Sequence, residues 1–201
     1  HHTATQVDIA EKKVLEVGSG RGGGASYIQR YLKTSSLTGI DISESAIQLC
    51  KTSHKIEGLD FVKGDSENIP FLNDGFDVVL NVESSHCYGN IEGFLSETYR
   101  VLKPKGFFLW ADFRTRNEME KLFKKFSKSN LSLIREKNIT TNVIMALNEL
   151  SKNRKEKIEN HIPKIFQSVF MSYAGIKGSD VYKSFTEKKF VYKSATLQKI
   201  K

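Results

Sequence analysis

The 201-residue sequence predicts an α/β fold built on a mostly parallel sheet with helices on both faces. Two observations carry this. In the first half of the chain, short apolar runs of strand length alternate with segments whose apolar residues recur every three or four positions, as strands joined by crossover helices do. The first such run, Val14-Leu15-Glu16-Val17, leads into a turn crowded with Gly18, Gly20, Gly22, Gly23 and Gly24. A glycine-rich strand-to-helix turn lets backbone approach a ligand closely at the end where open α/β sheets bind.

The elements follow in order. A helix from Ala25 to Leu32 spaces Ile28 and Leu32 by one turn, and Leu37–Ile40 reads as a second strand ending at Asp41. Ser43 stands where an N-cap is needed for a helix carrying Ala46, Ile47 and Cys50 on one side. Leu59–Val62 makes a third strand and Phe76–Leu80 a fourth. Ile91, Leu95, Tyr99 and Leu102 mark a helix that Pro104 and Gly106 end, turning the chain into a fifth strand, Phe107–Trp110. The second half is less regular. A helix is predicted over Glu118–Phe126, a strand over Leu131–Arg135 and a long amphipathic helix over Asn142–Lys157. The alternating run Phe190–Ile200 reads as an antiparallel edge strand, the seventh. With no repeat and no linker, one domain spanning 1–201 is expected.

Bulk properties narrow the function. No apolar run approaches the ~18 residues of a membrane span, and no secretory signal opens the chain. Two cysteines, Cys50 and Cys87, provide neither a disulfide framework nor metal-ligand spacing, so no metal is expected and a reduced cytoplasmic setting follows. Charge is uneven. Residues 1–113 hold 11 Lys/Arg against 15 Asp/Glu, whereas 114–201 hold 20 against 8, a net +12. Lys121, Lys124, Lys125 and Lys128 are scattered without interleaved aromatics, which favours the wet side of a helix over a dedicated surface for anionic lipid, nucleic acid or an acidic substrate. Peripheral contact with anionic lipid stays open, as does the oligomeric state.

The glycine turn admits more than one ligand. No Gly-Lys-Ser/Thr ending follows it, which excludes a P-loop. Gly18-x-Gly20-x-x-Gly23, with Asp41 about the right distance on, satisfies the dinucleotide fingerprint. On spacing alone a nicotinamide enzyme is an alternative.

The stretch "VLEVGSGRGGGAS" resembles motif I of class I S-adenosylmethionine-dependent methyltransferases, and the likeness continues in order. It runs through "GIDIS" at 39–43, "FVKGDSENIPF" at 61–71, "FDVVLNVESSHCY" at 76–88 and "VLKPKGFFLWADF" at 101–113. The resemblance implies a Rossmann-like three-layer sandwich with a seven-stranded sheet, its last strand antiparallel, and S-adenosyl-L-methionine as cofactor. Residues 1–113 then form the cofactor-binding core, and 114–201 complete the sheet and supply helices over the acceptor side. Gly18 and Gly20 lie under the methionine part of the cofactor in this family, Ser19 and Gly22 of the same turn are expected among the cofactor-binding residues, and Glu16 holds the loop and the cofactor's amino group. Asp41, followed by Ile42, accepts from the ribose hydroxyls, Asp65 with Ser66 meets the adenine amino group, and Asn81 and Val82 face the methionine moiety.

A hydroxyl acceptor must lose a proton, and histidine is best tuned for that near neutral pH. His86 follows the fourth strand and Asp112 ends the fifth, neighbours if the strand order holds. The "ESSHCY" and "WADFR" segments resemble small-molecule O-methyltransferases, among them sugar O-methyltransferases and the phthiotriol/phenolphthiotriol dimycocerosate methyltransferases. That resemblance implies His86 as general base and Asp112 as its orienter, with a lipid, polyketide or sugar-like acceptor. Glu83 is a weaker candidate. His54 and His161 stand among polar neighbours and read as surface residues, while Phe166, Phe170, Met171 and Tyr173 read as either an apolar acceptor wall or core.

Beyond Phe113 the likeness thins to "LIREKNITTNVIMAL" at 133–147. Family members carry several dozen residues before motif I that close over the site, so a more open cofactor site is expected here. The alternatives are an N- or C-methyltransferase on an amine, phosphobase or sterol acceptor, or a domain that binds the cofactor without turnover. A nucleic-acid amino-methyltransferase is disfavoured, because Asn81-Val82-Glu83-Ser84 stands where those enzymes carry an Asn/Asp-Pro-Pro-aromatic segment.

Overall fold

The computed structural model describes residues 1–161, 163 and 177–201. Its strands are β1 (Lys13–Val17), β2 (Ser36–Asp41), β3 (Leu59–Lys63), β4 (Phe76–Val82), β5 (Leu102–Thr115), β6 (Leu131–Asn138) and β7 (Phe190–Lys199). They form one sheet in the order β3-β2-β1-β4-β5-β7-β6. β1 pairs in parallel with β2 and β4, β2 with β3, and β4 with β5, while β7 runs antiparallel to β5 and β6. This is the Rossmann-like sandwich with a mostly parallel sheet that the sequence predicts. Inner strands covered on both faces need unbroken apolar runs. Val14 and Leu15, Val78 to Leu80 and Phe108 to Trp110 supply them, each at most 1% exposed.

The chain steps outward from β1 through β2 to β3, then returns to lay β4 on the other side of β1. Strand order therefore reverses between β1 and β4, and such a reversal opens a crevice at the carboxyl ends of the strands. The crossovers are α1 (Gly23–Tyr31), α2 (Glu44–Ser53) and α3 (Ile91–Val101). Ser43 caps α2 as expected, its hydroxyl accepting from Ala46 N at 3.3 Å, and Asn90 caps α3 by accepting from Gly93 N at 3.0 Å. α1 instead starts from Gly22 with no side-chain cap. α4 (Arg116–Lys128) buries Met119, Leu122 and Phe126 and exposes Lys121, Lys124 and Lys128, so its lysines do line a wet helix face.

Two expectations are corrected. The run ending at Ile200 is not an edge strand, because β7 lies between β5 and β6. Its alternating Ser, Thr and apolar residues imitate a half-solvated strand, yet Ser194, Ala195, Thr196 and Leu197 are at most 2% exposed. Small side chains there let neighbours close on both faces. Lys199 is also buried, its ammonium donating to Asp74 Oδ1 and to the carbonyls of Tyr99 and Leu102 at 2.7–3.0 Å. The outer position belongs to β6, in which Leu131 alone is buried. Second, Pro104 and Gly106 do not separate helix from strand. β5 runs through them, but Phe76 faces Leu102 while Val78 faces Phe107, so the Pro-Lys-Gly stretch forms a bulge.

The backbone divides into two compact units. One comprises His1–Asp112, Lys121–Lys137 and Ser194–Lys201, and it contains the crevice. The other comprises Phe113–Glu120 and Asn138–Lys193. Within it, Asn138 Oδ1 accepts from both Thr140 N at 3.0 Å and Thr140 Oγ1 at 2.7 Å, starting α5 (Thr140–His161). That turn gives the Asn138-Ile139-Thr140 stretch a structural job. Tyr182 of α6 (Asp180–Thr186) donates to Asn148 of α5 at 2.8 Å, the rings of Phe113, Phe185 and Phe190 meet edge to face, and Tyr192 stacks on Phe185. Phe166, Phe170, Met171 and Tyr173 lie outside the described residues. Among the described residues no helix is long and apolar enough to cross a membrane.

Candidate active site

A cavity of about 480 Å³ opens at the carboxyl ends of the first four strands, between Gly18 and Gly20 of the glycine turn, Asp41, Ile42, Asp65, Ser66 and the segment after β4. A second, of about 300 Å³, shares Gly18 and Glu83 with it and is lined by Glu16, Ser19, Gly24 and Val82. Every expected cofactor residue except Gly22 and Asn81 is on one wall or the other.

The glycines of the turn do different things. Gly18 has φ +75°, and a Cβ there would strike the Ser84 side chain and come within 2.8 Å of Tyr88 OH. Its bareness is demanded by protein packing beneath the cavity. Gly20 has φ +53°, and a Cβ there would meet nothing within 4 Å. Its missing side chain is open cavity space. Gly22 packs against Phe61, His54 and Cys50, away from both cavities.

Glu16 is buried, and Oε2 has no hydrogen-bond partner among the described residues. Burial pushes its carboxyl up to about 7, against the opposing pull of the Ala25 N–H that donates to it. Ser19 Oγ, on the same wall, is likewise buried without a partner. Asp41 is braced from both sides, Oδ2 accepting from Gly20 N at 2.8 Å and Oδ1 from Ser43 N at 2.9 Å. Each oxygen keeps a second lone pair for a ligand. Asp65 Oδ1 accepts from Glu67 N at 2.9 Å, a turn that sets the carboxylate at the cavity rim. Ile42, 69% exposed, presents an apolar surface beside them.

Asn81 was expected to face the ligand, but its side chain is fully buried under the floor. Nδ2 lies 3.0 Å from the Val17 carbonyl, 2.8 Å from Ser84 Oγ and 2.9 Å from Tyr88 OH. It ties the end of β1 to the segment after β4. Burial raises the Tyr88 phenol to about 12, so it is a neutral hydroxyl in this knot. Ser84 and Tyr88 escaped the sequence reading, since neither type signals a ligand site alone. Asn81, a lone amide inside an apolar strand, was the available clue. His54, expected at the surface, is partly exposed and also makes contacts. Its Nε2 donates to the Arg21 carbonyl at 2.8 Å, and its ring leans on Phe61, so it braces the glycine turn.

His86 and Asp112 come together. The short helical turn Ser85–Cys87 follows β4, and β5 brings up Asp112 beside it. His86 Nδ1 lies 2.9 Å from Asp112 Oδ1, and Asp112 Oδ2 accepts from His86 N at 3.0 Å and from Ser85 Oγ at 2.8 Å. The carboxylate is fully buried, whereas the imidazole is 31% exposed. Glu83, Ser84, Cys87 and Tyr88 of the same segment line the larger cavity.

Two cavities that share Gly18 at a strand-order reversal, one lined by unsatisfied Glu16 and Ser19 and the other by two aspartates, suit a ligand carrying an ammonium group, a diol and a flat base. The chain belongs to the class I S-adenosylmethionine-dependent methyltransferases. The methyltransferase-domain family matches residues 15–110. The phthiotriol/phenolphthiotriol dimycocerosates methyltransferase of Mycobacterium tuberculosis (strain H37Rv) is 41% identical over 181 residues, covering 90% of this chain and 67% of that protein. The fatty-acid O-methyltransferase of Mycolicibacterium smegmatis is 36% identical, covering 86% of this chain and 63% of its own length. Among solved structures, a Haemonchus contortus phosphoethanolamine N-methyltransferase 2 in complex with S-adenosyl-L-methionine aligns over 98% of this chain and 50% of its own, with a TM-score of 0.81 at 16% identity. The protein is a methyltransferase, and its cofactor is S-adenosylmethionine.

Proposed function

We propose that the enzyme methylates a hydroxyl on a lipid-like acceptor, with His86 as general base oriented by Asp112. The observation that carries this reading is the 2.9 Å contact between His86 Nδ1 and a fully buried Asp112 carboxylate. An alcohol must shed a proton as its oxygen is methylated, whereas an ionised fatty acid need not, so a built His–Asp pair favours a hydroxyl. The names of the relatives, a phthiotriol/phenolphthiotriol dimycocerosates methyltransferase and a fatty-acid O-methyltransferase, support an apolar acceptor.

When bound, S-adenosylmethionine supplies a methyl group activated on a sulfonium. Glu16 and Ser19 hold its ammonium end, Asp41 takes the ribose diol, and Ile42, Asp65 and Ser66 receive the adenine. Val82 lines the methionine end, with Asn81 fixing the floor beneath. His86 draws the acceptor proton onto Nε2, and Asp112 stabilises the resulting imidazolium. Alignment of acceptor and donor supplies much of the remaining rate. The lysine face of α4 supports peripheral contact with anionic lipid, where an apolar acceptor resides.

The decisive experiment offers labelled S-adenosylmethionine with long-chain diols, fatty acids, sugars, amines and RNA in parallel. Ether-linked label on the diol is the expected result. Label appearing on amines or RNA, with none on a lipid hydroxyl, overturns the reading.

A further inference from the structure

The His86–Asp112 pair is the visible end of a longer buried chain. Trp110 Nε1 donates to Ser85 Oγ at 2.9 Å, and Ser85 Oγ donates to Asp112 Oδ2 at 2.8 Å. Trp110 and Asp112 are fully buried and Ser85 is 2% exposed. Donor chemistry gives this chain a direction. An indole N–H only donates, so Ser85 must accept from it and turn its own proton toward Asp112. Asp112 Oδ2 then receives two donors, the Ser85 hydroxyl and the His86 backbone N–H at 3.0 Å. An oxygen accepting twice is not itself the donor, so the proton shared with His86 lies between Oδ1 and Nδ1. With Oδ2 held by its two donors, Oδ1 is left to accept from His86 Nδ1–H, the arrangement that puts the lone pair of the neutral ring on Nε2.

We propose that Ser85, held by Trp110, is a positioning residue that fixes the orientation of the Asp112 carboxyl group and through it the tautomer of His86. Its effect on rate rests on the general-base reading above, whereas its effect on the tautomer does not. Without the Ser85 hydroxyl, Asp112 Oδ2 loses one of its donors and the carboxyl group can turn. The ring is then released to exchange its two neutral forms.

The test uses the full chain carrying Ser85→Ala, Trp110→Phe and both changes. Nitrogen NMR of histidine-labelled protein reads the His86 tautomer, and turnover is measured with a long-chain diol as methyl acceptor. Wild type should show the Nδ1–H form alone. Ser85→Ala should mix in the Nε2–H form and lower kcat ~10-fold, the scale of one buried charge-assisted hydrogen bond. KM and the Kd for S-adenosylhomocysteine should stay within about twofold, because neither ligand touches this buried hydroxyl. The double variant should be no worse than Ser85→Ala, since both changes cut one chain. An unaltered His86 spectrum in Ser85→Ala, or losses that add in the double variant, overturns the proposal. If Ser85→Ala fails to fold, Trp110→Phe keeps an aromatic ring at that position while removing the N–H donor, and decides by the same spectrum. If His86→Ala retains full turnover, the base reading falls, and the tautomer shift in Ser85→Ala still decides the positioning role.

Discussion

A Cβ on Gly24 would fall 2.6 Å from Glu16 Oε1, so the first turn of α1 and the buried carboxylate of β1 compete for one space. Glycine at that position is what allows a carboxylate to stand behind the turn. Gly24→Ala should push Glu16 aside and weaken S-adenosylhomocysteine binding by ~10-fold, about the worth of one charged contact, as measured by calorimetric titration. An unchanged dissociation constant would remove Glu16 from the cofactor site.

The same carboxylate makes stability depend on pH. Its folded pKa of about 7 stands above the ordinary 4.5, so between those values the folded chain holds a proton that the unfolded chain has released. The penalty for burying it is therefore absent below pH 4.5, grows as pH rises and is complete above pH 7, reaching about 3 kcal/mol. Glu16→Gln has no proton to lose. Without cofactor, its urea stability relative to wild type should rise between pH 5 and pH 8, while its affinity for S-adenosylhomocysteine falls. A pH-independent difference between the two proteins contradicts the assignment.

Gly18 and Gly20 should respond differently to one added methyl group. Gly18→Ala drives a Cβ into Ser84 and Tyr88 at a left-handed φ of +75°, and should cost about 2–3 kcal/mol of folding stability. Gly20→Ala meets no protein atom, so only backbone strain of about 1 kcal/mol applies. Its main effect should be weaker cofactor binding, because the methyl enters the cavity. Thermal melts and titrations on both variants separate the two, and equal destabilisation would contradict the distinction.

His86→Ala should lower turnover by ~10²-fold or more while cofactor affinity stays nearly unchanged, since a general base acts on the acceptor alone. Near-normal turnover with a hydroxyl acceptor would sink the proposed role.

Lys121, Lys124 and Lys128 project from one side of α4 and form no ion pair among the described residues, whereas Lys125 is paired with Glu92 at 2.8 Å. At low salt the protein should sediment with phosphatidylglycerol vesicles and leave phosphatidylcholine vesicles in suspension. Changing the three lysines together to glutamate should abolish this without altering cofactor binding. Equal sedimentation of wild type and variant would show that this face plays no part.

The local parts of the site were legible in the sequence. Glu16, Gly20, Asp41 and Asp65 each lie within a few residues of a strand's carboxyl end, and the parallel alternation of elements dictates that those ends share one side of the sheet. The caps at Ser43 and the lysine face of α4 were readable for the same reason, because helix geometry relates residues three or four apart. His86 and Asp112 were paired on the assumption that β4 and β5 are neighbours, which the strand order bears out.

Only the tertiary structure decided the rest. Ser85 lies 25 residues from its donor Trp110, and Asn81 lies 64 from the Val17 carbonyl it holds. Nothing local distinguishes a serine that orders a buried carboxylate from one that faces water. The same holds for β7, whose sequence suits an edge as well as an interior, and whose place depends on which strands flank it. The chain by itself determined the periodicities, the turns and the strand-end residues, because short-range sterics and hydrogen bonding set them. Register, burial and the direction of buried hydrogen bonds come from pairings between distant segments, and those became definite only once the whole sheet had closed around them.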